Sequence, residues 1–241
     1  MLLTHARVET SMTLRHGEQI LLTLLIPLAM LIGLSVLDIL PAGDLAGMER
    51  VDWITPRILT LAVLSSAFTG QAIALSFDRR YGVLKRLSAT SLPRWLLVAG
   101  RLVAALVVVA VQVLVLGIVA LALGWSPSTG GIVFGILLVT VGTICFGALG
   151  VLLGGALRAE AVLALANIVW FVLLLAGGIL MVPSALPDAY AAVVVLLPSG
   201  ALAEGLHAAL VDGTFSVTSL LVLTVWGAAA AAVAAKTTKL T

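Results

Sequence analysis

Residues 95–123 read WLLVAGRLVAALVVVAVQVLVLGIVALAL, with one charged side chain, Arg101, and one amide, Gln112. A helix needs about 20 consecutive apolar residues to cross the hydrocarbon core of a bilayer. This run exceeds that length and carries no turn chemistry inside it, so it predicts a transmembrane helix. Five more runs of the same kind lie at 19–40, 58–77, 131–157, 161–182 and 215–235. Composition agrees. Of 241 residues, 62% are hydrophobic and 10% charged, against about 25% charged in a soluble domain. That is too little charge to cover a water-facing surface. The expected fold class is an all-α integral membrane protein with six transmembrane helices, forming one domain over residues 1–241.

Between the fifth and sixth runs, residues 183–212 are apolar in part but too short for two crossings. Pro183, Pro187 and Pro198 bracket the stretch Ala189–Leu197, which predicts a segment that dips into the membrane and returns. Residues 1–18 are polar. The first apolar run follows Arg7 and Arg15 but is longer than the 7–15-residue core of a signal peptide, so it reads as a retained helix.

Basic residues set the orientation, because cytoplasmic loops carry an excess of Lys and Arg. Of 13 such residues, all but Arg50 and Arg57 fall on one side of a six-span arrangement. That side includes both ends, so the expected topology is N-in and C-in. Arg57 and Arg101 lie near span ends, where long cations reach the headgroups by snorkelling.

The chemistry of most enzymes is missing. The sequence has no phosphate-binding Gly-rich loop ending in Gly-Lys-Ser/Thr, no Gly-x-Ser-x-Gly elbow and no His-Glu-x-x-His pair. The single cysteine, Cys145, excludes an internal disulfide. His5, His16 and His207 are far apart, so no metal site is expected. No basic face on a soluble fold exists, which excludes a nucleic-acid partner. Spans also lack mid-depth carboxylates, the usual mark of proton-driven transport. Their polar residues are Gln71, Gln112 and Asn167, each read as an interhelical hydrogen bond or a substrate contact. Small residues recur every four positions at Ala62, Ser66, Gly70 and Ala74, and at Gly131/Gly135 and Gly150/Gly154. Such spacing lets helices approach closely, within the chain or between subunits. Ser66, Gly70, Gln71 and Asn167 are therefore the candidate pathway or interface residues.

The segment joining the second and third spans is the most informative: residues 78–94, DRRYGVLKRLSATSLPR. Val83, Leu84 and Leu87 share a side at i, i+3 and i+4, Gly82 tolerates backbone angles closed to other residues, and Pro93 suits the start of the next helix. This segment resembles the conserved loop of membrane subunits of type-2 ABC exporters, in Asp78-Arg79, Gly82, Leu84-Lys85-Arg86-Leu87, Ala89-Thr90 and Pro93. It departs at Ser91-Leu92, where the family often has Thr-Pro, and the start of the second span reads Pro56-Arg57 where Pro-Gly is common.

The resemblance implies an N-terminal elbow helix at 1–18, six spans and a re-entrant helical hairpin at 183–212. It implies a non-catalytic permease of an ATP-driven exporter in a bacterial cytoplasmic membrane, carrying a drug, lipid or similar amphiphile. Its partners would be two copies of a separate ABC ATPase, a second permease subunit and the lipid bilayer. The chain itself would hold no cofactor, ATP and Mg belonging to the ATPase. Residues 78–94 would be the coupling loop, with Arg79, Arg80, Gly82, Leu84, Lys85, Arg86, Leu87 and Pro93 carrying the contact. Glu204 and His207, three apart in the hairpin, are candidates for an exit gate. Two alternatives stay open: a membrane enzyme on lipid-linked substrates using Asp188, Glu204, His207 and Asp212, or an immunity or assembly factor on the same fold.

Overall fold

The computed structural model describes residues 17–37, 48–83, 94–180 and 187–237. Among them the fold is entirely helical. Helix α1 spans Gly17–Val36 and α2 spans Arg50–Arg80. Helices α3, α4 and α5 are Arg94–Ala122, Ile132–Ala156 and Ala159–Leu175. Two short helices follow, α6 at Asp188–Leu196 and α7 at Pro198–Leu210, and α8 closes the fold at Val217–Thr237. The expected elbow at 1–18 falls almost wholly outside the described residues, with Gly17 and Glu18 opening α1.

Helix α2 is the centre of the molecule. Leu61, Ala62, Val63, Leu64 and Ala67 have no exposed surface. It begins eight residues before the apolar run suggested, since Arg50–Arg57 is a helical turn and more of mixed polarity. Glu49, extended, precedes it, and Asp52 lies in its first turn, where a carboxylate complements the helix dipole. Its middle, Leu64–Gly70, winds as a π-helix, the wider form that appears in short stretches and often at functional sites.

Around α2 the other helices bury one face and expose the other. On α3 the outward face is Val111, Leu114, Ile118 and Leu121; on α8 it includes Leu221, Val225 and Val233. These apolar stripes at helical spacing are what a lipid-facing surface requires. Among the described residues, four helices are long and apolar enough to cross a bilayer: Arg50–Arg80, Val98–Ala122, Ile132–Ala156 and Val217–Thr237. Counting α6 and α7 together as one bent span makes five, and Thr23–Val36 and Ala159–Leu175 are shorter apolar helices. Helix α5 stops at Leu175 rather than running to 182, because Gly177-Gly178 follows and Gly178 takes a φ of 83°.

Close helix contacts explain the small residues. A Cβ at Gly150 would lie 2.7 Å from the Phe68 carbonyl oxygen, and one at Gly154 would lie 2.5 Å from that of Ala72. Helices α2 and α4 thus touch backbone to backbone beside the π-helical turn. The second glycine pair serves α7. Gly131 approaches Ala209, Gly135 approaches Leu210, and further along α4 Gly142 approaches Leu202. This order means that α7 runs antiparallel to α4, rising toward the start of that helix. Both glycine pairs are used inside the chain. Helices α6 and α7 meet at 87°.

Candidate functional site

Polar side chains gather at three levels along α2. At the end near Arg50, Asp52 accepts from the backbone N–H of Ser126 at 2.9 Å and so holds the α3–α4 connection. One turn further lies Arg57, which is 1% exposed. Its Nη1 donates to the Trp53 carbonyl at 3.0 Å, and its guanidinium sits over the Trp53 ring, 4.0 Å from the centroid. From the other side Glu204 of α7 accepts from Nη2 at 3.2 Å. Nδ1 of His207 lies 3.4 Å from Nη1. Two donors facing each other would repel, so Nδ1 is the acceptor nitrogen there. Nε of Arg57 is buried and has no partner.

This cluster corrects one expectation. Arg57 does not snorkel outward; it is folded inward and neutralised by α7, a hundred and fifty residues away in sequence. Reading the sequence missed its role, because a cation near a span end has a cheaper destination in the headgroups. The available signal was the departure at Pro56-Arg57. Glu204 and His207 do share one face of α7, as their spacing implied, and both turn toward Arg57.

At the middle level, Ser66 donates to Oε1 of Gln112 at 2.8 Å, and Nε2 of Gln112 donates to Thr23 at 3.2 Å. Helices α1, α2 and α3 are thereby joined through the buried Ser66 and Gln112 and the half-buried Thr23, polar groups that in hydrocarbon must find partners. Nε1 of Trp170 donates to Ser65 at 2.9 Å and adds α5. Gly70 and Gln71, at the end of the π-helical turn, are half-buried, and Oε1 of Gln71 has no partner. Asn167 stands apart: it is exposed on α5 and its Nδ2 donates to the Leu163 carbonyl of its own helix at 2.7 Å.

At the far end, charges tie α2 to three neighbours. Nη1 of Arg79 donates to the carbonyls of Gly154 at 2.8 Å and Leu157 at 3.1 Å. A cation is thus placed on the last carbonyls of α4, which helices leave unpaired and the dipole makes negative. Arg80 pairs with Glu160 in the first turn of α5, and Asp78 pairs with Arg101 of α3. The helix closes at Gly82, whose φ of 69° is the left-handed angle of a helix C-terminus. Leu84, Lys85, Arg86, Leu87 and Pro93 lie outside the described residues. Among the described residues no group of three or more His, Cys, Asp or Glu is arranged to hold a metal.

The arrangement is a helix locked at both ends by charge. Arg57 and Arg79 are 22 positions apart, about 33 Å at 1.5 Å per residue, close to the thickness of a hydrocarbon core. Residues 4–211 match the family model of the ABC-2 type transporter. No curated protein matches the chain.

Proposed function

The chain belongs to the ABC-2 type transporter family, a family of multi-pass membrane permeases that work with an ABC ATPase, and on that premise we propose that it is the export permease of a two-component pump. Two permease chains enclose the path, and two ATPase subunits bind at the Arg79 end. Helices α1 and α5 cross the membrane with the four long helices, giving six spans. The α6–α7 pair is a re-entrant hairpin that enters from the outer side. Its antiparallel course along α4, from Gly142 back to Gly131, and its 87° bend support that reading. The transported molecule is a hydrophobic or amphiphilic compound, consistent with the apolar character of the spans.

The observation that carries the reading is the family match running through residues 78–94, the segment that the Arg79 anchor opens. ATP must be held by a partner, and this loop is where the partner docks. Leu84 and Leu87 fill a groove on the ATPase in the manner of a short amphipathic helix. Lys85 and Arg86 lie at the rim, where charge tunes association rate and salt sensitivity. Arg79 and Arg80 fix the root of the loop to α4 and α5, and Gly82 turns the chain out of the helix there.

Affinity capture of the tagged permease with its ATPase tests the docking. Leu84→Asp or Leu87→Asp abolishes capture while the permease still reaches the membrane. Lys85→Ala weakens it in a salt-dependent way, since rim charges are screened within about 8 Å at physiological ionic strength. Equal capture by both leucine variants removes the docking assignment.

A further inference from the structure

Arg57 is anchored before it meets α7. The Trp53 carbonyl and ring, one turn back on the same helix, hold its guanidinium at 3.0 Å and 4.0 Å. That fixes the cation on α2 with one side left for a partner, and α7 supplies the partner through Glu204 and His207. A cation that is 1% exposed is tolerable only when paired; removing its counter-charge leaves an uncompensated buried ion. The rest of the α7 packing is of a different kind. It meets α4 through glycines at Gly131, Gly135 and Gly142 and α8 through Gly205 against Ser219, contacts set by shape. Among the described residues, the Arg57–Glu204 bridge is the one ion pair that α7 makes.

The other end of α2 is fastened by Asp78, Arg79 and Arg80 to α3, α4 and α5. Between the two fastenings lies the π-helical turn Leu64–Gly70, where the regular hydrogen-bond ladder gives way. One helix thus links the root of residues 78–94 to the α6–α7 hairpin.

We propose that Arg57 is a positioning residue that latches the hairpin to α2 through Glu204 and His207, so that displacement of the far end of α2 is carried to the hairpin. This rests on the reading of α6–α7 as the re-entrant hairpin of an ATP-driven permease.

The test is the accessibility of the hairpin, which needs neither substrate nor ATPase. In a Cys145→Ala background, Ala201→Cys places one thiol at a site 1% exposed, three residues before Glu204 and on its side of α7. A charged maleimide is applied to membranes opened to both sides, so orientation does not enter. Arg57→Met raises the labelling rate about tenfold, as expected for loss of a buried pair whose acid is one-third exposed. Glu204→Gln does the same. The double variant labels no faster than the worse single one, because both remove a single interaction. Arg57→Lys, which keeps the cation, recovers most of the protection. Unchanged labelling in both single variants overturns the latch. So does a double variant whose effect is the product of the two, or an Arg57→Lys no better protected than Arg57→Met. If Arg57→Met fails to accumulate, Glu204→Gln and Arg57→Lys still decide the matter. ATP hydrolysis by the complex reads the pump assignment separately, so either idea fails without the other.

Discussion

A missing methyl group decides how close two helices come. At Gly154 a Cβ would lie 2.5 Å from the Ala72 oxygen, whereas at Gly33 nothing stands within 4 Å. Gly154→Ala is therefore expected to cost about 1–3 kcal/mol through overpacking, and Gly33→Ala to change little. Thermal unfolding of the purified protein in detergent checks both. Residues of this scale were only partly legible in the sequence. The spacing of Gly150 and Gly154 announced a close contact, but in so glycine-rich a chain it did not say with which helix. Arg57 was less legible still. Apart from the departure at Pro56-Arg57, nothing local distinguishes a cation that reaches headgroups from one that turns inward to Glu204, because the decision is made by α7.

At the scale of elements, hydropathy misplaced the start of α2 and the end of α5. It missed the first eight residues of α2 because Arg50, Asp52 and Arg57 dilute the apolar average there, although Asp52 favours a helix start. It overran α5 because Ile179 and Leu180 are apolar whether helical or not, and Gly177-Gly178 ends the helix. The π-helical turn had no sequence signal that a period of 3.6 detects. Its surroundings predict how α1, α2 and α3 hold together. Gln112→Leu removes the bonds to Ser66 and Thr23 and is expected to lower stability by about 0.6–1.7 kcal/mol, from the average to the largest value for an interhelical hydrogen bond in a membrane. Asn167→Leu, which loses only a bond to its own helix, is expected to leave the unfolding temperature of the single chain unchanged. Equal losses for the two would contradict the assignment of Gln112 as the joint between these helices.

For the whole molecule, the family and the transport role were legible because they are written in a contiguous segment, residues 78–94, and in the number of apolar runs. The buried charge clusters that join distant elements were not, since they depend on which helices meet. The structure adds a single helix fastened at both ends, with Asp78, Arg79 and Arg80 at one end and Arg57 against α7 at the other. The pump reading places ATP hydrolysis on a partner and its mechanical outlet at Arg79 and the residues that follow. The direct measurement is ATP hydrolysis by the permease reconstituted with its ATPase in lipid vesicles. The wild-type complex is expected to hydrolyse ATP, and Leu87→Asp to lower the rate at least about tenfold, equivalent to roughly 1.4 kcal/mol of lost coupling, with both subunits present in equal amount. A complex in which Leu84→Asp and Leu87→Asp hydrolyse ATP at the wild-type rate would contradict the account.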